Sequence, residues 1–464
     1  MTTNKLAQTY WVRWAYYILG ALLLCIPAFY NGYPLVYSDT GTYIRSGMEM
    51  YVPSDRPIVY GLFIRFFSLG YSLWFTVITQ CIALSFVLHK LIKHTVPSIS
   101  YAGTLGIIAM LTAFTSVAWY SSQIMPDIFT FCSVACIILL ASSKLKITPG
   151  KILLLAIILF SFSVHFTNIL LGIVMLCVFS ILKFWKKGVF KTLNIKILTL
   201  LIFGSILLAL STNYAISKSL SPSKGGHIFM MGRMIDNGIL KSYLDDNCSA
   251  NEYPICQYKD SLPADSRAFL WAPNSPVQQQ GWGQSGPEYR EILLGIFTSP
   301  KHLLKFMYTS ATASVSQLFQ NDIGSGLEST WYAKPSSPPY AAVADFYPHE
   351  MNQYLQSRQN ENLWGQGLGF SKQNTLNYFL LVVSVFIIAL GLGLKENRAL
   401  ISNNLKVTAV LLLSGVVINA AVTASLANVY DRLQSRISWV IVLIALLILI
   451  QLGKRLYHNA VKLF

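Results

Sequence analysis

Apolar runs long enough to cross a bilayer, separated by short basic loops, constrain this chain more than any other feature. A hydrocarbon layer about 30 Å thick needs about 20 apolar residues per spanning helix. Such runs fit ten times, near residues 14–33, 71–92, 100–119, 128–143, 151–163, 168–184, 195–215, 375–394, 404–424 and 435–452. Of the 464 residues 54% are hydrophobic and only 12% charged, about half the charged share of soluble domains. No soluble core hides that much apolar surface, and backbone polar groups in lipid must be satisfied inside helices. An all-α polytopic membrane protein with about ten transmembrane helices is the expected fold class. The first run, about Trp14 to Tyr30, is long enough to span and lacks a small-residue cleavage site, so it reads as a retained anchor.

The formal charge of +16 would suit a nucleic-acid binder, but its distribution points elsewhere. Lys and Arg gather in short loops between apolar runs, which assigns those loops and both termini to the cytoplasm. No basic patch interleaved with aromatics and no nucleic-acid motif is present, which excludes a nucleic-acid partner. With this topology, 18 of the 19 acidic residues fall on the opposite face, Glu396 being the exception. Acids contribute little to topology, so their segregation needs another cause, and the acid-rich face is where chemistry belongs.

One stretch needs its own argument. Ile152 to Leu182 would be roughly 46 Å long as one helix, too long for a single comfortable span. Lys144, Lys146 and Lys151 precede it and Lys183, Lys186 and Lys187 follow, so both ends belong in the cytoplasm. Two short helices meeting at a turn near His165-Phe166-Thr167-Asn168 satisfy both conditions. The chain then divides into an N-terminal transmembrane module, 1–215, with about seven helices and a re-entrant first loop, a polar insertion of mixed structure, 216–374, and a C-terminal module, 375–464, of about three helices. Within the insertion, Glu291 to Phe319 has helical periodicity and few charges, and is expected on or in the membrane surface. Cys248 and Cys256, eight apart in a polar segment, are disulfide candidates, whereas the other five cysteines lie in apolar runs as small hydrophobes.

Several short elements meet at the acid-rich face. Tyr37-Ser38-Asp39-Thr40-Gly41-Thr42-Tyr43 follows the first run, then Ser54-Asp55-Arg56-Pro57 leads into an apolar stretch bearing Arg65. Gln123-Ile124-Met125-Pro126-Asp127 opens the fourth run, His165 sits in the hairpin turn, and Tyr430-Asp431-Arg432-Leu433-Gln434-Ser435-Arg436 precedes the last run. A loop carboxylate such as Asp39 can act as general base toward an acceptor hydroxyl. It can equally cap a helix starting at Thr40. Asp127 is either the cap of the fourth helix or a second carboxylate facing Asp39. Two acids at one mouth can share a proton, bind a divalent ion or hold acceptor hydroxyls. His165 and Tyr43 are candidates for acid/base or acceptor support, although a satisfied interfacial histidine is the commoner arrangement. Arg56, Arg65, Arg432 and Arg436 lie where topology needs no positive charge; they suit phosphate clamping or lipid-head-group contact.

The order of these elements resembles the GT-C superfamily of membrane glycosyltransferases, including the protein mannosyltransferases and the bacterial aminoarabinose transferase. The likeness covers residues 10–215 in organisation and rests at residue level on Asp39, the Arg56-Pro57 neighbourhood and Asp127. It departs at Thr40, where the family often carries a second acid, and at Asp55-Arg56-Pro57, where it usually reads His/Lys-Pro-Pro. The resemblance implies an inverting transferase taking a sugar from a polyprenyl-phosphate donor to a glycan, lipid or protein acceptor. Asp39 would then be the catalytic base, with Asp127 as the second catalytic carboxylate assisting with acceptor or metal, and Arg432 or Arg436 would contact the donor phosphate, Arg56 and Arg65 being further phosphate-binding candidates by position. Catalysis would need no nucleotide, because the donor bond is already activated, and a divalent metal is left open. The implied setting is a bacterial inner (plasma) membrane with the large loop on the periplasmic or extracellular side, among membrane lipids. Two other classes compete: a transporter or flippase of lipid-linked glycans, and a non-catalytic assembly protein. A transporter would want ionisable groups at mid-bilayer depth and a repeat between halves; the apolar runs hold almost no such groups, and the halves show no detectable repeat.

Overall fold

Helices follow the apolar runs throughout the computed structural model, which describes all residues except 1, 142–147, 185–193, 219, 221–223, 362–366 and 462–464. Lys144, Lys146, Lys186 and Lys187, which carry part of the topology argument, lie outside the described residues. Six helical segments are long and apolar enough to cross a membrane: Leu73–Thr95, Phe166–Phe184, Ile195–Ser217, Ser371–Gly393, Asn403–Leu426 and Asp431–Leu456. Four shorter apolar helices, Trp11–Leu24, Tyr101–Phe114, Pro126–Ala141 and Pro149–Val164, fall in the remaining apolar runs. Among the described residues there is no strand, only one isolated parallel bridge between Leu35 and Gln123.

The bundle is built around its most enclosed helix. Every residue of Phe129–Ala141 is buried, which explains why this run is apolar all round rather than striped. Small residues let neighbours approach closely: a Cβ at Gly415 of Asn403–Leu426 would stand 2.7 Å from Val134. The hairpin turn falls at His165, whose extended backbone separates Pro149–Val164 from Phe166–Phe184. Asn168 fastens it, donating to the Ser161 carbonyl at 2.8 Å and accepting from Thr130 Oγ1 at 3.0 Å.

At one end of the bundle the first loop forms two short crossing helices, Thr40–Glu49 and Val59–Phe67. They touch through glycine, since a Cβ at Gly47 would lie 2.0 Å from the Gly61 carbonyl oxygen. Part of the insertion folds over this pair. Ala342, Val343, Tyr347 and Tyr354 belong to the main apolar core, and Pro338 presses on Gly41 so closely that a Cβ there would meet its carbonyl carbon at 2.2 Å. The buried Glu350 carboxylate secures this cover, accepting from Tyr33 and Ser72 hydroxyls at 2.6 Å each, beside the first turn of Leu73–Thr95, where a helix N-terminus favours negative charge.

The insertion therefore departs from expectation twice. Its described residues form helices and 3₁₀ turns, not mixed structure. It also divides: residues from Ile228 to Ile296 build a second apolar core of their own, next to the Cys248–Cys256 disulfide, while the segment around Pro338–Phe346 joins the bundle. Pro300–Leu318 packs along Asn403–Leu426 and leaves Leu304, Met307, Tyr308 and Val315 exposed, with exposed Phe319 just past its end, a stripe at helical spacing.

A side chain wedged between the first-loop helices should separate them. Gly47→Val is expected to cost about 1–3 kcal/mol, read as a lowered thermal midpoint of the detergent-purified protein. An unchanged midpoint would contradict the close crossing.

Candidate functional site

Two arginines one turn apart organise the charged end of the bundle. Asp431–Ser438 is a short helix leading into the last apolar helix, and residues four apart on a helix share a face. Arg432 Nη1 reaches Asp39 Oδ2 at 3.2 Å, and Arg436 Nη1 reaches Asp127 Oδ1 at 3.0 Å. The two acids, from separate loops, thus converge on consecutive turns of one helix.

The pairs differ in access, and chemistry follows access. Asp39 is 26% exposed at its side chain, Arg56 11% and Arg432 16%. Asp127 and Arg436 are 2% and 0% exposed. Asp39 stands at the N-cap position of Thr40–Glu49 yet makes no side-chain cap bond. Its carboxylate turns to arginine instead, with Oδ1 3.2 Å from Arg56 Nη2. Each oxygen is held by a different guanidinium. Arg56 is itself oriented by Asp55, which accepts from Nε at 2.9 Å, by the Asp39 carbonyl, which accepts from Nη1 at 3.3 Å, and by the Tyr43 ring 4.9 Å beneath it. Arg432 lies 4.3 Å over the Tyr37 ring, a cation–π contact that leaves its planar fork directed by Asp39 on one side only.

Burial alone would raise the Asp39 pKa, but Arg56 and then Arg432 more than reverse that and hold it down at about 2. The folded value lies below the unfolded value of about 3.9, so these ion pairs add stability above that value and lose it as pH falls toward 2. His165, in the hairpin turn, is pushed down to about 3, by burial first and by Arg436 next, with Asp127 opposing. It is a neutral imidazole near neutral pH, with Nδ1 2.7 Å from Thr167 Oγ1.

Four expected site residues make contacts of their own within the protein. Asp127 was expected to be a catalytic carboxylate; it is enclosed and paired with Arg436 on the Asp431–Ser438 helix. Arg436 was expected on a donor phosphate. It is spent on Asp127 and on Asn419 Oδ1 at 3.0 Å, beneath the surface. Arg65, also a phosphate-binding candidate, is exposed and donates from Nη1 to the Met48 carbonyl at 2.8 Å, at the C-terminal end of Thr40–Glu49. Tyr43, 3% exposed, supports Arg56 rather than touching an acceptor.

Other participants escaped the sequence reading. Asn419 sits in an apolar helix, donates to the Leu433 carbonyl at 2.7 Å and to Gln434 Oε1 at 3.0 Å, and so ties the arginine helix to Asn403–Leu426. An amide inside an apolar run was the available signal. Ser435, whose carbonyl accepts from Ser116 at 2.5 Å and whose hydroxyl meets Tyr120, carried no such signal. Beyond the loop bearing Gly326, which packs on Tyr37, an open cavity of about 300 Å³ is lined by Asp322, Glu328, Asn374 and Asp431 among others. Among the described residues no group of three or more His, Cys, Asp or Glu is arranged to hold a metal ion.

Fold and site together define an all-α membrane protein with an arginine-clamped carboxylate at one end of its bundle. No family model, curated protein or solved structure matches the chain.

Removing one partner of the enclosed pair strands the other charge. Asp127→Asn is expected to cost about 3–5 kcal/mol, and the double variant Asp127→Leu, Arg436→Met should regain most of that loss, both read as thermal midpoints in detergent. Equal midpoints for Asp127→Asn and the native protein would refute the pairing.

Proposed function

We propose that this protein is a membrane glycosyltransferase of the GT-C kind, with ten spans, that moves a sugar from a polyprenyl-phosphate donor to an acceptor on the extracytoplasmic face. The observation that carries the reading is Asp39, a partly exposed carboxylate held between Arg56 and Arg432. A lone surface aspartate needs no arginine pair. A base that must wait for an anionic donor has a use for one.

In this mechanism the donor's phosphodiester approaches along the bundle surface and takes N–H donors from Arg432, whose side chain is the more exposed of the two. Arginine matches phosphate oxygens bidentately. As Arg432 turns to the phosphate, Asp39 loses one of the two charges that depress it and becomes a stronger base. It accepts the proton of an acceptor hydroxyl while that oxygen bonds to the anomeric carbon. The bond from that carbon to the phosphate oxygen breaks, and the electron pair leaves with the phosphate, stabilised by Arg432. Attack opposite the leaving group inverts the anomeric centre. Arg56, fixed by Asp55 and Tyr43, keeps Asp39 in place throughout, and Asp127 with Arg436 anchors the helix from which Arg432 acts.

Asp39→Asn is expected to lower sugar transfer from a polyprenyl-phosphate sugar in proteoliposomes by about 10²–10⁴-fold, with expression and insertion near normal. Retained transfer would reject the assignment. The pH profiles carry a second test. Deprotonated Asp39 is required, so rate falls as pH falls through its pKa. For kcat/KM, which reports free enzyme, the acid limb should stay below about pH 4, near the Asp39 value of about 2. For kcat the limb should lie at higher pH, because bound donor has drawn Arg432 away. Coincident limbs would exclude the handover.

A further inference from the structure

The arginine helix begins in the grip of the insertion. Tyr430 stands at the N-cap position of Asp431–Ser438 and makes no side-chain cap bond. Its carbonyl accepts the first bond of that helix, from Leu433 N at 3.1 Å. Gln317, near the end of Pro300–Leu318, closes on the same residue with both atoms of its amide. Its Oε1 accepts from the Tyr430 N–H at 3.0 Å, and its Nε2 donates to the Tyr430 carbonyl at 2.8 Å. The peptide groups on both sides of the Tyr430 α-carbon are therefore fixed by one side chain. Gln317 is 0% exposed, so water does not compete for either bond, and an enclosed polar group that loses its partner is costly.

Residues on either side of Tyr430 are held in the same way. Asn428 Nδ2 donates to Asp236 Oδ2 at 3.2 Å and to the Ser266 hydroxyl. Asp431 Oδ1 accepts from the Asp322 N–H at 3.2 Å. Asp236 and Ser266 belong to helices Gly226–Asp236 and Ser266–Trp271, which pack against each other. Lys305 ties Pro300–Leu318 to the same part of the insertion by donating to the Gly238 carbonyl at 2.9 Å. The next residue along is Arg432. From Leu433 onward the bundle takes over, through Asn419 and Asp127, so Arg432 lies between two grips. Its own pairing has little to spare: Nη1 stands 3.2 Å from Asp39 Oδ2, already long for a charge-assisted bond. Helix ends fray where their backbone groups lack partners. A frayed first turn would carry Arg432 off Asp39 even with Arg436 in place.

We infer that Gln317 is a positioning residue for the candidate site: by fixing both backbone groups of Tyr430 it holds the first turn of the arginine helix, and with it Arg432, against Asp39. The side chain fits the task. One backbone donor and one backbone acceptor need a neutral amide. A carboxylate in its place could not donate to the carbonyl, and an aliphatic side chain would leave both groups unbonded. The groups facing Asp39 are Arg56, with Asp55 and Tyr43 around it, Arg432 with Tyr37 beneath it, and Tyr332 from the insertion. Arg56 is fixed within the first loop itself, so Arg432 is the cation that the insertion can set. Resting on the transferase reading, the insertion keeps the base paired until the donor phosphate draws Arg432 away.

Carboxyl NMR of the full-length protein in lipid nanodiscs, labelled at aspartate, reads Asp39 directly; its signal is the one that Asp39→Asn removes. In the native protein Asp39 should titrate at about 2. Arg432→Gln should raise that value by about 1–3, the size of one close opposite charge, and Gln317→Leu by about 1, never above Arg432→Gln. The double variant Gln317→Leu, Arg432→Gln should match Arg432→Gln alone, because Gln317 acts only through Arg432. If Gln317→Leu does not fold, Gln317→Asn, whose amide falls one carbon short of Tyr430, carries the same expectations. An unmoved Asp39, or a further rise in the double variant, would overturn the inference. No donor or acceptor enters this titration, so it stands apart from the transferase reading, which fails instead if Asp39→Asn retains transfer. In turnover, Gln317→Leu should move the acid limb of kcat/KM to higher pH and leave that of kcat, where Arg432 has already left Asp39, in place. Equal movement of both limbs would also overturn the positioning role.

Discussion

The enclosed ion pair between Asp127 and Arg436 is the contact on which the charged end of this protein depends. Two charges taken out of water are tolerated only with good geometry and further hydrogen bonds. Here Asn419 takes the second Nη of Arg436, and Trp439 Nε1 donates to the arginine's own carbonyl at 3.0 Å. The pairing cannot slide without stranding a charge, so the register of Asp431–Ser438 against the entry to Phe129–Ala141 is set. Arg432 is carried one turn along the same helix to Asp39. The accessible pair is placed by the inaccessible one.

That dependence joins distant parts of the chain. Asp39 and Arg432 are 393 residues apart, and Asp127 and Arg436 are 309 apart, so the N-terminal and C-terminal groups of helices close into one body at this end. The first loop is held against the bundle by other means, close glycine contacts inside and the Glu350 hydrogen bonds above. A rigid floor and a firmly held loop leave Arg432 as the charged group at the mouth with the fewest constraints: one ion pair, one ring beneath it and partial exposure. A ligand that competes for its donors meets less resistance there than at Arg56, which two carboxylates and a carbonyl already share.

The insertion shows how one stretch of sequence can serve two layers. Its first part encloses its own apolar core, reinforced by a disulfide across a short loop. Its later part has too few apolar residues to stand alone and completes the bundle. Between them Pro300–Leu318 turns its apolar stripe outward, as a helix does when its surroundings on that side are not water. Polar composition alone marked the whole stretch as one unit, because composition reports contact with water and not which core a segment joins.

What the amino-acid order determined by itself was environment, segment by segment. The apolar runs announced helices at their positions, the opposing basic flanks required a break near His165, and acids gathered at one face named Asp39 as a candidate; hydrophobic length, charge placement and residue spacing are local quantities. Partners were decided by tertiary structure. Nothing around Asp127 or Arg436 tells that each neutralises the other, that Arg65 turns to a helix end, or that Asn419 braces the arginine helix. Those outcomes depend on which loops a folded bundle brings within a few ångströms, and a buried charge takes whichever opposite charge it meets there.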